Sequence, residues 1–91
     1  MPWIEEEILT IIGPLPVNSI LRHKVNEESF TWSCVVDYWW GHSMAIIKSA
    51  QNAPTLSEAR LLKNYLKDKG IKVGRWERKS GRPRVTKVRG K

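Results

Sequence analysis

Residues 30–40 read FTWSCVVDYWW, and this stretch decides the fold class. Every even position carries an apolar side chain, whereas the polar residues Thr31 and Asp37 stand at odd positions. Because successive side chains of a strand point to opposite faces of a sheet, this spacing predicts a long β-strand with one buried face. The apolar run at residues 44–47 has no polar face, and it predicts a second strand at the centre of the sheet.

Two segments are predicted to be helical. In residues 2–12, three successive glutamates suit the positive end of a helix dipole, and the isoleucines follow the i, i+4, i+7, i+8 spacing of one apolar helix face. Residues 56–69 carry a similar apolar stripe. Thr55 and Glu58 form the capping-box pattern that begins a helix.

The C-terminal region is predicted to form a β-hairpin over residues 71–89, with its turn at residues 80–81. That turn would place Trp76 opposite Val85. Gly74 lies in the first arm, where it leaves room for a bulge.

With a further strand at residues 19–25, the predicted element order is α-β-β-β-α-β-β. This order predicts one α+β domain over residues 1–91, in which two helices pack on one face of a mainly antiparallel sheet.

The charge of the chain is divided unevenly along its length. The formal net charge is +7. Residues 1–47 hold six acidic residues and two basic ones, a balance of −4, and residues 48–91 hold fourteen basic residues and three acidic ones, a balance of +11. A chain divided in this way is expected to present its basic half to a polyanion or to an acidic protein.

The basic residues predict a non-enzymatic nucleic-acid-binding domain, in which lysine and arginine contact phosphates with weak sequence specificity. The alternative reading is a solvated hairpin whose charges keep a small domain soluble. Three of the candidate contacts share one face of the second helix and the others lie in the hairpin: Arg60, Lys63 and Lys67, then Lys72, Arg75, Arg78, Lys79, Arg82, Arg84 and Lys87.

A second hypothesis is a protein-interaction module that binds an acidic partner. Trp39 shares its strand face with polar residues, so it is expected to be either exposed or covered by another element. An exposed tryptophan can anchor a protein interface or stack on a base. Trp39 and Trp76 are the candidate anchors.

Several function classes find no support in the residues. Cys34 is the one cysteine, and His23 and His42 lack the spacing of a zinc signature, so no metal site and no catalytic cysteine are predicted. No glycine-rich phosphate loop is present, and no cofactor is predicted. Without a signal peptide or an apolar run of about 20 residues, the chain is expected in the cytoplasm and not in a membrane.

Two resemblances to known proteins add to this reading. The order α-β-β-β-α over residues 2–69 is similar to that of double-stranded-RNA-binding domains, although their lysine cluster at the start of the second helix is absent here. The second is carried by four motifs: Gly41-His42, Leu56-Ser57-Glu58-Ala59-Arg60, Gly70 and Trp76-Glu77-Arg78. With them, residues 41–89 resemble short α+β proteins of unassigned function that are encoded by phages and prophages, which implies a host cytoplasm as the setting. Small phage proteins often bind nucleic acid or occlude a host protein.

Overall fold

The computed structural model describes residues 1–77 and the backbone of residues 84–87. Six strands form one mixed sheet whose spatial order follows the sequence, and residues 44–48 and 73–76 are its parallel pair. The elements are β1 (Trp3–Ile12), β2 (Leu15–Asn26), β3 (Ser29–Trp39), a 3-10 turn (Trp40–His42), β4 (Met44–Lys48), α1 (Leu56–Asp68), β5 (Val73–Trp76) and β6 (Arg84–Lys87).

The predicted first helix is wrong, because residues 3–12 form strand β1, antiparallel to β2. The described order is therefore β-β-β-β-α-β-β, and the element order shared with double-stranded-RNA-binding domains is lost. Ile4 and Ile8 are four residues apart, a spacing that also puts two side chains on one face of a strand. Gly13, with φ of +62°, lies in the turn to β2, and the isoleucines favour a strand once that partner is available.

The predicted strand at residues 30–40 is confirmed as β3, and its even positions face the core. Trp32, Cys34, Val36 and Tyr38 are buried, whereas Phe30 is 43% exposed at the start of the strand. The rest of the core comes from β2, β4, α1 and the segment between α1 and β5: Leu21, Ala45, Ile47, Leu62, Leu66 and Ile71.

The helix at residues 56–69 is also confirmed. Thr55 accepts a hydrogen bond from the Glu58 N–H, and the Glu58 side chain accepts one from the Thr55 N–H. This capping box satisfies two backbone donors at the start of α1. The helix connects the parallel strands β4 and β5, and it covers the face of the sheet to which Leu62 and Leu66 point.

Strands β5 and β6 pair in antiparallel fashion, as the hairpin prediction requires, but their register differs from the predicted one by one residue. Trp76 lies opposite Arg84 instead of Val85, and the pairs are regular through Gly74, without the expected bulge. The predicted turn at residues 80–81 lies outside the described residues. A shift of one residue exchanges the two faces of a strand, so this register decides which residues share a face.

Candidate binding surfaces

The sheet converts the division of charge along the sequence into a separation in space. Since the strand order follows the chain, Glu5, Glu6 and Glu7 lie at the β1 edge, and β5 and β6 lie at the other. Five interstrand spacings of about 4.8 Å separate the two edge strands by roughly 24 Å. The molecule therefore has one acidic sheet edge, and the basic C-terminal strands form the opposite edge.

Three of the predicted contacts come together on α1. Arg60, Lys63 and Lys67 are exposed at i, i+3 and i+7, and within residues 1–77 none of them forms an ion pair. We call these three residues the cationic helix surface. Lys72 is exposed just before β5, outside the helix.

Arg75 lies on the other side of the sheet. Its neighbour across the parallel ladder is Ile46, which pairs with Asp37 on β3, and these residues alternate with those beneath α1. The Arg75 Nε atom is buried and has no hydrogen-bond partner among the described residues. An unpaired buried donor is costly, so Arg75 is a basic candidate at which the described residues leave a donor unsatisfied.

The remaining basic candidates belong to the hairpin. Arg84 and Lys87 lie opposite Trp76 and Val73 in the ladder of the edge strand β6. The helix, in contrast, lies near the β1 side, since its Tyr65 hydroxyl reaches Glu6. The other three candidates lie outside the described residues: Arg78, Lys79 and Arg82.

The two tryptophan candidates occupy different environments. Trp39 is 50% exposed at the end of β3, with its ring 6.4 Å from the His42 ring. Trp76 is half-buried and packs edge-on against Trp32 at 5.8 Å. Trp39 is therefore available to a ligand, whereas Trp76 is largely engaged with the core.

A third surface was missed by the sequence analysis. The distal part of the β1–β2 hairpin carries five aliphatic side chains that are 45% to 69% exposed. The helix prediction had placed three of them on a buried face: Ile8, Ile11 and Ile12. Trp40 lies beside this segment and donates a hydrogen bond from Nε1 to the Pro16 carbonyl at 2.7 Å. We call the segment the apolar arm, and its exposed members are Ile8, Leu9, Ile11, Ile12 and Leu15. Two β-branched runs around Gly13-Pro14 were the available signal for this hairpin.

Beneath the helix, Glu6 is the centre of a polar cluster. Its carboxylate lies 2.8 Å from Lys69 Nζ and accepts hydrogen bonds from the hydroxyls of Tyr38, at 2.9 Å, and Tyr65, at 2.5 Å. Burial acts to raise the pKa of Glu6, but these bonds outweigh it and lower the pKa. The same burial and the carboxylate raise the pKa values of both tyrosines, so all these bonds persist at neutral pH.

A second, partly buried chain of hydrogen bonds joins β2, β3 and α1. Thr31 donates to Glu58 at 2.5 Å, so its hydroxyl accepts from His23 Nδ1 at 2.9 Å. His42 is not part of this chain, and it lies beside Trp39. Among residues 1–77, no three histidine, cysteine or acidic side chains are grouped so that they could hold a metal ion.

Burial raises the pKa of Cys34 to about 12, so this thiol is protonated at neutral pH.

Comparison of the chain with protein-family models, with curated proteins and with solved structures finds no match. In the part of the chain that the structure describes, no helix has the length and apolar character needed to cross a membrane.

Proposed function

We propose that this chain binds nucleic acid, with the cationic helix surface and the basic C-terminal hairpin as its phosphate-contacting parts. The observation that carries the proposal is the exposure of Arg60, Lys63 and Lys67 on one helix face, without a carboxylate partner in residues 1–77. Cations that are free of internal ion pairs can exchange their counterions for phosphates, which is the main source of sequence-independent affinity.

Two other basic residues differ from the unpaired cations of α1, because each contacts a carboxylate. Arg22 contacts Glu7 at 2.9 Å, and Lys48 contacts Asp37 at 2.7 Å, so both have an internal partner. The Asp37 hydrogen bond and charge raise the pKa of Lys48. These two residues are available as internal controls, since their removal changes the net charge without changing the cationic helix surface.

The test is binding of labelled duplex and single-stranded oligonucleotides, followed by fluorescence anisotropy over a salt series. Changing Lys63 and Lys67 to glutamine should weaken duplex binding, and it should reduce the slope of log K against log salt by about 0.9 for each phosphate that the variant no longer neutralises. The matched control, glutamine at Arg22 and Lys48, removes the same charge and should change the slope less. Absence of binding at about 50 mM salt, where counterion release is strongest, would contradict the proposal.

A second function is favoured by the apolar arm. Contiguous exposed aliphatic side chains mark interaction sites in small domains, and Trp39, half-exposed at the end of β3, is a suitable aromatic anchor. We infer that the chain can act as a protein-interaction module that binds, and inhibits or redirects, a host protein complex.

This function predicts that lysine at Ile11 and Ile12 abolishes capture of a protein partner from a nuclease-treated bacterial lysate. Leu56, which is 70% exposed on α1, provides the matched control, since lysine there changes an aliphatic residue outside the arm. Equal capture by the arm variant and the wild type would exclude the arm as the binding site.

A further inference from the structure

The face of the sheet opposite α1, which we call the open face, is not covered by any element that the structure describes. Its centre combines aliphatic side chains with one ion pair. Ile20 pairs with Val35, and Ile46 and Val73 continue on β4 and β5, while Lys48, opposite Val35, contacts Asp37 at 2.7 Å. The four aliphatic residues are only partly buried, by their neighbours in the sheet. With its central ion pair neutral, this face offers a second layer an apolar area that no described element covers.

The charges on the two sides of the open face are unequal. Glu5 and Glu7 lie on the β1 side of the open face, where Arg22 neutralises only part of their charge. On the β5 side, Arg75 has a buried Nε without a partner among the described residues. The open face therefore has an acidic side and a basic side.

We propose that two copies of the chain associate through their open faces, related by a two-fold axis that runs parallel to the strands. A rotation about this axis places β1 of each copy over the β5–β6 edge of the other, so that acidic and basic sides face each other twice. A two-fold axis perpendicular to the strands would instead place β1 over β1 and bring Glu5 and Glu7 of both copies together. Charge complementarity selects the first arrangement.

The dimensions are those of a modest interface. Six strands span roughly 24 Å, and strands β5 and β6 have four residues each, about 13 Å, so two such faces stacked about 10 Å apart would bury an interface below the standard size. We therefore expect a dimer whose population depends on concentration. The cationic helix surface lies on the outer side of each copy and stays free in this arrangement.

Sedimentation velocity over a wide range of concentrations tests the association. Wild-type protein should form dimers, and Ile46→Glu, which puts a charge at the centre of the open face, should weaken dimerisation about tenfold or more, since an unpaired charge in an interface costs at least about 1.4 kcal/mol. Leu56→Glu makes the same chemical change on the exposed side of α1, and it should dimerise like the wild type. Wild-type protein that stays monomeric at its highest soluble concentration would overturn the proposal, as would unchanged dimerisation of the Ile46 variant.

The sign of the salt dependence tests the orientation, and it does not rely on the folding of any variant. If opposite charges face each other, added salt should weaken the dimer, and Arg75→Glu should weaken it further. If salt strengthens the dimer instead, like charges face each other, and the axis parallel to the strands is wrong.

Discussion

Among the three successive glutamates of β1, the position in the strand decides the role of each side chain. Glu5 and Glu7 point to the open face and share Arg22, whereas Glu6 points beneath α1 and contacts Lys69. The Lys69 ammonium also lies over the Tyr65 ring, 5.3 Å from its centroid. Glu6 thus connects the edge strand to the last turn of the helix, a contact that a run of three equal residues does not reveal.

Glu6→Gln should lower the free energy of unfolding by about 1–3 kcal/mol, because it weakens hydrogen bonds to a charged group and leaves Lys69 without its ion pair. Glu5→Gln is the matched control on the same strand, and we expect a change of no more than about 0.5 kcal/mol there. Urea denaturation measures both values. Equal losses for the two variants would show that the Glu6 cluster does not connect strand and helix as described.

The lowered pKa of Glu6 also predicts how stability changes with pH. The carboxylate contributes stability above its ordinary pKa of 4.5, and the contribution is lost as the pH falls from 4.5 through the lower pKa of the folded state. Glu58 acts in the same direction, since hydrogen bonds from Thr31 and Thr55 outweigh its burial and lower its pKa. Urea midpoints measured from pH 7 downward should fall below pH 4.5, and less steeply for Glu6→Gln. Parallel curves for variant and wild type would contradict this assignment.

At the scale of elements, β1 is the place where local pattern and tertiary structure disagree. Isoleucines at helical spacing are compatible with both structures, and the glutamates before them favour a helix start. The Gly13-Pro14 turn brings β2 alongside, and pairing with β2 then satisfies the backbone of the segment. A helix over the same residues would bury Ile12, whereas the hairpin leaves it 69% exposed.

The exposure of Ile12 gives a direct test of whether residues 3–12 form a strand or a helix. Ile12→Ala should change the free energy of unfolding by no more than about 0.5 kcal/mol, as expected for an exposed site. Leu66→Ala, at a position that is 1% exposed between α1 and the sheet, should lower the free energy of unfolding by about 2–5 kcal/mol. Thermal or urea unfolding compares them, and a large loss at Ile12 would favour the helical alternative.

At the scale of the whole molecule, the order of the strands makes the domain an electrical dipole. The chain reverses its charge near residue 48, and a sheet that follows the chain carries this reversal from one edge to the other. A fold with the same elements in another strand order would mix the two signs. This separation within the sheet sets the orientation of the proposed dimer, whereas the exposed cations of α1 lie on the β1 side and do not follow it.

The open face and the cationic helix surface lie on opposite sides of the molecule, so we expect local charge to matter more than net charge for oligonucleotide binding. Glutamine at Glu5 and Glu7 raises the net charge by two, but these residues face away from the cationic helix surface. A helix about 10–12 Å thick separates the two sets of charges, and this exceeds the Debye length of about 8 Å at physiological salt. The variant should therefore bind almost like the wild type in anisotropy measurements, whereas glutamine at Lys63 and Lys67 weakens binding. If the variant at Glu5 and Glu7 gained as much affinity as the variant at Lys63 and Lys67 loses, only the net charge would matter.

Part of the site could be read directly from local patterns. The cationic helix surface depends on a helix whose cap and apolar stripe lie within 14 residues, so Arg60, Lys63 and Lys67 were placed correctly on one face. The face on which Arg75 lies could not be predicted in this way. It depends on the pairing of β5 with β4, which aligns Arg75 with Ile46 and so with Asp37 on β3. The apolar arm was missed for the same reason, because it exists only as part of a hairpin.

By itself, the sequence determined the β3 strand with its buried even positions, the capped helix α1 and the uneven distribution of charge. Each of these depends on neighbours within a few residues or on composition alone. The tertiary structure alone decided that residues 3–12 are a strand, that Glu6 lies beneath the helix and that Trp76 pairs with Arg84. Backbone hydrogen bonds in a sheet join residues that are distant in the chain, so the conformation of a strand, its register and the face of each side chain depend on a partner that no local pattern specifies.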